Sequence, residues 1–272
     1  MEAGLGLGKT GAARSCLGRG SFSCFDWKGL NTIILAIIFS VTASFDTAEK
    51  PKPFAVVELF TAEGCSSCPA ADDLLKEMTE ILQKEGKEVL SLSFHVTYWN
   101  KYGWEDIYSN EIFTDRQKNY VNSLKLQQLY TPQAIVNGEQ EFIGSDPINF
   151  RNKVVSALGV NPVYSIHAQA KKENSEVALT YELNKEPKNV LLNIAIVENS
   201  IVHRVLRGEN KDRTLKHYNV VRSFKTVMPK AKEEIKVGWP EGLAKDRASI
   251  ILYLQNSKSL KITGAVKVDM QK

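Results

Sequence analysis

Two cysteines separated by two residues stand in the segment Glu63-Gly64-Cys65-Ser66-Ser67-Cys68-Pro69. A disulfide needs Cα atoms within about 7 Å, a condition that two intervening residues at a helix N-terminus meet. The unpaired N–H groups and dipole of a first helical turn favour an anion, so a thiol there ionises more readily than free cysteine. Cys65 is expected to be the more exposed of the pair and to attack first. Cys68, one turn in, then resolves the mixed disulfide. Pro69 suits a first helical turn, where its missing N–H costs nothing. Two alternatives stand beside this redox reading: a structural disulfide in an exported protein, and half of a zinc or copper site. A structural zinc site takes four ligands. Beyond residue 43 these are the only cysteines, and His95, His167, His203 and His217 show no ligand spacing. No metal and no cofactor is expected.

The flanking pattern supplies elements to hold the pair. Phe54 to Thr61 is a near-continuous apolar run, as a strand buried on both faces requires. Ala71, Leu74, Leu75, Met78, Ile81 and Leu82 then recur at helical spacing, and Gly86 stops that helix. Val89 to Val96 reads as a second strand, so the order implies a parallel strand–helix–strand unit. Glu58 lies inside the first strand, which is costly unless its carboxyl is paired or protonated. His95 ends the second, where a hydrogen-bonded strand-end histidine and an active-site role are both open. Tyr98, Trp99, Tyr102, Trp104 and Tyr108 cluster in a loop. Trp99 and Trp104 there form a lid over the cysteines or pack the following helix, predicted over 106–124. Residues 129–136 form a strand reached through Pro132, Asn137-Gly138 makes a two-residue hairpin, and 141–144 return. Pro147 opens a helix that ends at Gly159.

After Asn161-Pro162 the pattern turns to period two. Tyr164, Ile166 and Ala168 alternate with polar residues, as do Val177, Leu179, Tyr181 and Leu183. Runs at 190–197, 250–254 and 262–268 read as further strands. The polar run holding Arg207, Glu209, Arg213, His217, Asn219 and Arg222 reads first as a long ordered loop held by its own ion pairs. The alternative is that it reaches toward Cys65 or binds an anion. Lys230 to Lys236 reads as a solvated face or the start of a hairpin.

The 272 residues, 43% apolar and 24% charged, are enough for two folded domains. The formal charge of +4 is too small a bias to point to nucleic acid or an anionic membrane surface. Residues 1–43 are expected to be a signal peptide, cleaved after Ala43. The apolar run Ile33–Phe39 is short of the ~20 residues a spanning helix needs but fits a signal core. An uncleaved anchor is the alternative, and the 29 residues before the run allow a start codon assigned too far upstream. Cys16 and Cys24 fall in this segment and are read as incidental. Residues 44–53 are a linker.

The order strand, Cys-x-x-Cys, helix, strand, insert, Thr-Pro strand, Asn-Gly hairpin strand, helix resembles the thioredoxin superfamily. The stretches VELFTAEGCSSCPAADDLL, FHVTYWNKYGWEDIYSNEIFTDRQKNY, YTPQAIVNG and RGENKDRTLKHYNVVR, in that order from Glu58 to Arg222, resemble a family of exported bacterial proteins known as domain-of-unknown-function family 1223. The resemblance implies an α/β thioredoxin-like domain with a central mixed sheet over 54–160, and the period-two pattern makes 161–272 an all-β, sandwich-like domain. The resemblance also implies that Pro132 is the cis proline opposite the cysteines, with the Thr131 carbonyl and N–H free to pair a substrate chain. An ordinary strand-entering proline is the alternative. Gly64 replaces the tryptophan that thioredoxins carry before the first cysteine, and Ser66-Ser67 replaces their Gly-Pro. Leu59 stands where thioredoxins bury an aspartate. Glu58, one residue earlier, could take over a proton shuttle to Cys68 if the strand shifted; a buried salt bridge or an edge-facing carboxylate are its alternatives.

Together these readings predict an extracytoplasmic thiol–disulfide oxidoreductase, secreted or periplasmic. Cys65 is the nucleophile, Cys68 resolves, and Pro132, Thr131, Glu58, His95 and Trp99 support them. Its partners would be a protein or small-molecule thiol or disulfide and a separate redox partner, with no nucleic acid, and a membrane only through an uncleaved N-terminal segment. A binding module with a structural disulfide is the rival class.

Overall fold

The first strand, β1 (Phe54–Thr61), is buried along its whole length because its two faces meet two different cores. Ala55, Val57 and Leu59 face one helical layer, whereas Val56 and Phe60 belong to a core on the other side of the sheet. This computed structural model describes residues 51–270. The signal or anchor expected over 1–43, and all but the last residues of the linker, lie outside the described residues.

From β1 the chain turns into α1 (Cys68–Lys84), with Pro69 in its first turn. Gly86, at φ +76°, ends it and leads into β2 (Glu88–His95). The parallel pairing expected for β1 and β2 is present, with Thr61 opposite His95. A 3-10 turn over Thr97–Tyr102 follows, then α2 (Glu111–Ser123). This helix starts five residues later than the pattern implied. Asn110 caps it by accepting from the Ile112 N–H at 3.0 Å, and the residues before it are tied down by Asp106 instead. β3 (Gln133–Val136) and β4 (Gln140–Ile143) make the expected hairpin, and α3 (Pro147–Leu158) packs beside α1. β3 starts only after Pro132, which has no N–H to give a ladder.

The remaining strands are β5 (Ile166–Glu173), β6 (Glu176–Leu183), β7 (Val190–Arg204), β8 (Thr214–Val227), β9 (Lys232–Gly238), β10 (Ala248–Asn256) and β11 (Ile262–Met270). The run expected as a long loop is a strand from Thr214 onward. β8 has partners on both edges, Val220 meeting Ser93 of β2 and the whole length pairing with β7, and these pairings outweigh its polar composition. The second charged segment, 230–236, likewise contributes β9, an edge strand beside β6. Alternating charge on such a strand discourages pairing with a further chain.

The result is mixed α/β. A large mixed sheet runs β4-β3-β1-β2-β8-β7-β10-β11, and a small antiparallel sheet of β5, β6 and β9 joins it through a two-residue parallel contact between β11 and β5. The large sheet curls until β11 lies beside β1, where the Ile262 N–H donates to the Asn137 carbonyl at 2.9 Å. The curl encloses Phe60, Phe94, Val197, Val221, Ile251 and Tyr253, with Phe113 and Tyr120 of α2 closing it. On the other face of β7 and β10, Ile194, Ile196, Ile250 and Leu252 meet Val177, Leu179 and Tyr181 of the small sheet. Residue 160, the expected domain boundary, lies between α3 and β5, but the described residues form one compact unit.

Candidate functional site

Cys65 and Cys68 form a disulfide, with 5.4 Å between Cα atoms. The turn that carries it is built from local bonds: the Cys65 N–H donates to the Ala62 carbonyl and the Cys68 N–H to the Cys65 carbonyl, both at 3.2 Å. Cys68 is the first residue of α1, so its sulfur lies at a helix N-terminus as expected. The expected exposure of Cys65 is not found. Both cysteines are 0% exposed. Both belong to the apolar core that holds Phe60, Val96 and Phe113, and the polar segment between β7 and β8 ties down the backbone of their turn. Asn210 donates its Nδ2 to the carbonyls of Glu63 (2.8 Å) and Cys65 (2.9 Å), and Glu209 accepts from the Ser66 N–H at 3.1 Å. Arg213 holds Asn210 in place through its Oδ1 at 2.6 Å. The run from Arg207 to Arg222 therefore reaches the cysteine turn. Within that turn, Ser67 Oγ is 3.4 Å from Cys65 Sγ.

Trp99 joins the two expected halves of the site. Its Cβ is 3.4 Å from where a side chain on Gly64 would begin, and its indole N–H donates to Thr131 Oγ1 at 2.7 Å. The Thr131–Pro132 bond is cis, and Pro132 is buried. Trp104 bonds elsewhere, donating to Glu63 Oε2 at 2.7 Å. Each tryptophan thus packs the 97–110 loop onto the turn that holds the disulfide.

Glu58 is not free to act on a thiol. Arg116 of α2 holds both its oxygens, Nε to Oε1 at 2.8 Å and Nη2 to Oε2 at 3.0 Å. Tyr253 donates to Oε1 at 2.8 Å, and Tyr120 also donates. The Arg116 guanidinium lies against the rings of Phe94, Tyr120, Phe224 and Tyr253. The salt-bridge alternative describes this residue.

A second constellation adjoins the disulfide turn, and spacing alone did not reveal it. Three of the histidines that looked scattered, His95, His203 and His217, converge on Glu63, Asp72 and Asp106. The Asp106 carboxylate is 2.7 Å from His95 Nδ1 and accepts from the N–H groups of Glu63 and Tyr108, each at 2.9 Å. Glu63 Oε1 lies 2.6 Å from His203 Nδ1 and 3.3 Å from His217 Nε2. His217 Nδ1 is 3.1 Å from Asp72 Oδ2. The rings of His95 and His217 meet edge to face at 4.8 Å. Two buried polar atoms here, Asp72 Oδ1 and His95 Nε2, make no hydrogen bond, and His217 Nε2 meets the Glu63 carboxylate as an ion pair. Among the described residues, no group of three or more such side chains is arranged to hold a metal ion.

The environment sets the charges. Burial favours neutral His217, but Asp72 and Glu63 outweigh it and push its pKa up to about 10. Burial raises Glu63, yet bonds from His217, Trp104 and His203 leave its carboxyl below the usual range. Asp106 is likewise lowered, because the charge and bond of His95 and two backbone N–H groups overcome burial. Burial pushes the Tyr108 phenol up. One signal for part of this cluster was in the sequence: Asp72 follows Cys68 by four residues and so shares its helix face. Nothing local to Glu63, His203 or Asp106 marked them.

Residues 56–255 match the family described as Protein of unknown function (DUF1223). The chain belongs to that family. The DUF1223 protein is similar to a protein of Agrobacterium tumefaciens known from a crystal structure. The two are 25% identical, superpose with a TM-score of 0.59, and the match covers 81% of this chain and 95% of the other. A domain of the outer membrane lipoprotein Omp28 from Porphyromonas gingivalis is 9% identical over 40% of this chain and 90% of its own, with a TM-score of 0.26. No curated protein matches. Among the described residues of the DUF1223 protein, no helix is long and apolar enough to cross a membrane.

Proposed function

We propose that this protein is an extracytoplasmic thiol–disulfide exchange protein built on a thioredoxin-like unit, β1 to α3, to which the later strands add a sandwich-like second layer. The observation that carries the reading is the disulfide between the turn after β1 and the first residue of α1. A leaving thiolate on Cys68 would sit against the unpaired N–H groups of that helix, which stabilise the anion and make it a good leaving group. With the pair oxidised, a substrate thiolate attacks Cys65, whose sulfur the Ser67 hydroxyl already approaches, and a second substrate thiol resolves the mixed disulfide; with the pair reduced, Cys65 attacks a substrate disulfide and Cys68 resolves. Thr131, beside Pro132, offers backbone to an extended substrate. Access needs the buried cysteine turn to open, and the Asn210 and Glu209 contacts to it to release. A disulfide also suits an oxidising compartment, in keeping with the signal-like run Ile33–Phe39.

The complete burial of both cysteines favours a second reading, in which the disulfide only staples the turn that holds Glu63 and the protein is a binding module. Trapping separates the two. In the exchange reading, Cys68→Ser retains mixed disulfides on Cys65, and Cys65→Ser retains none; both variants fold, since so short a loop contributes the least chain-entropy stabilisation. A pair with a potential well below about −300 mV and no captured thiol in either variant would establish the staple.

A further inference from the structure

A connected series of ionisable side chains runs from one turn inside α1 to the surface. Asp72 shares a helix face with Cys68, four residues before it. Its Oδ2 is 3.1 Å from His217 Nδ1, His217 Nε2 is 3.3 Å from Glu63 Oε1, and the same Glu63 oxygen is 2.6 Å from His203 Nδ1. Asp72, His217 and Glu63 are at most 1% exposed, whereas the His203 side chain is 27% exposed. The outermost member alone meets water. The innermost keeps a buried oxygen, Oδ1, with no hydrogen-bond partner. An unpaired carboxylate oxygen in a core is costly, and a proton that arrives and leaves gives that oxygen a use.

We propose that Asp72, His217, Glu63 and His203 form a proton path between Cys68 and solvent. The path rests on the exchange reading of the cysteine pair. In reduction, a substrate thiolate attacks Cys65 Sγ. A new S–S bond forms, the Cys65–Cys68 bond breaks, and its electron pair leaves on Cys68 Sγ. His217 gives a proton from Nδ1 to Asp72, and Asp72 passes it to that sulfur. His217 regains a proton at Nε2 from the Glu63 side, which draws on His203 and water. A second substrate thiolate then attacks the substrate sulfur and releases Cys65, which takes its own proton from solvent. The substrate dithiol is oxidised, the protein disulfide is reduced, and the two protons the substrate lost balance the two the cysteines gained. In the reverse direction Asp72 accepts the Cys68 proton and frees the resolving thiolate.

His217 is the pivot, because each ring nitrogen faces a different carboxylate. The groups around it come from every packed element. Asp72 stands on α1, Glu63 in the turn before it, and His95, bound to Asp106, on β2. His203 is on β7, and the Tyr108 ring is 6.3 Å away. Arg222 of β8, paired with Glu198 of β7, lies over the far side of Tyr108. Asp106 touches only His95 and backbone in this set, which leaves His95 beside the path and outside it.

The test is the rate at which dithiothreitol reduces the disulfide of the full chain between pH 6 and 9.5, expressed per dithiothreitol thiolate. Lost general acid catalysis predicts that Asp72→Asn slows reduction about tenfold or more at pH 7 and flattens the pH profile. His203→Gln, at the partly exposed end of the path, slows it less, and added imidazole restores it. Imidazole does not restore Asp72→Asn, whose site is sealed. If His203→Gln matches the wild type at every pH, the path is overturned while the exchange reading stands. The same holds if imidazole rescues neither variant. If dithiothreitol never reduces the wild-type disulfide, both fall.

Discussion

At the scale of single residues, the buried charges decide the pH range in which the fold is stable. His217 has its pKa raised to about 10 from an ordinary 6.5. Its contribution is therefore fully present below about pH 6.5 and is lost as pH climbs through 10. Glu63 and Asp106 are lowered from 4.5 and 3.8, so theirs is present above those values and lost as acid protonates them in the folded state. Stability should form a plateau between these limits. His217→Gln leaves Glu63 and Asp72 buried without their cation. It should cost about 3–5 kcal/mol at pH 7, as removing one partner of a buried pair does, and it should remove the decline above pH 8. Urea midpoints from pH 4 to 10 measure both. A variant whose midpoints run parallel to the wild type up to pH 10 would show that His217 does not carry this charge.

At the scale of elements, α2 is held to the sheet in part by a polar contact set inside an apolar core. Arg116 bonds Glu58 of β1 and Gln255 of β10, and Gln255 in turn bonds Tyr120 and Asn193. Arg116→Met strands the Glu58 carboxylate and should cost about 3–5 kcal/mol. Glu58→Gln together with Arg116→Met should recover much of that, since no buried charge is then left alone. A double-mutant cycle in denaturant measures the coupling, and additive losses would refute it. The sequence carried some of this and not the rest, for physical reasons. β1 and α1 were legible because an all-apolar run and a helical period each report one local environment. Glu58 was legible as an anomaly, but its partner lies 58 residues away and has no local mark. β8 was hidden because its polar side chains serve the cluster: His217 is buried by Asp72 and Glu63, and Asn219, at φ +48°, donates to Ser91. A strand that lines a polar site reads as loop when only its residues are seen. The cysteine pair was found from spacing, but its turn is also held by Asn210, 145 residues from Cys65.

At the scale of the whole molecule, the enclosed core belongs to neither half of the sequence. Phe60 and Phe94 stack at 5.5 Å, and Phe94 meets Phe224 edge-on at 5.4 Å, with Tyr253 beyond it. Ser93 of β2 and Val220 of β8 pair in one sheet, and the Ser93 hydroxyl donates to the Tyr218 carbonyl at 2.7 Å. The sequence suggested a separate thioredoxin-like domain over residues 54–160. In the folded chain the inner face of its sheet is covered by Val197, Val221, Ile251 and Tyr253, all from beyond residue 160. Expressed alone, residues 51–160 would expose Val56, Phe60, Leu92 and Phe94 and leave Glu58 without Tyr253. Burying such side chains is worth roughly 1.5–3 kcal/mol each, and a domain's whole stability is only about 5–15 kcal/mol. The 51–160 and 161–270 fragments should each fail to unfold cooperatively and should bind a hydrophobic dye, whereas the two mixed together should regain a single transition. If the 51–160 fragment alone gives a dispersed amide spectrum and a cooperative melt, the first unit is self-sufficient, and the later strands are a cover laid on it.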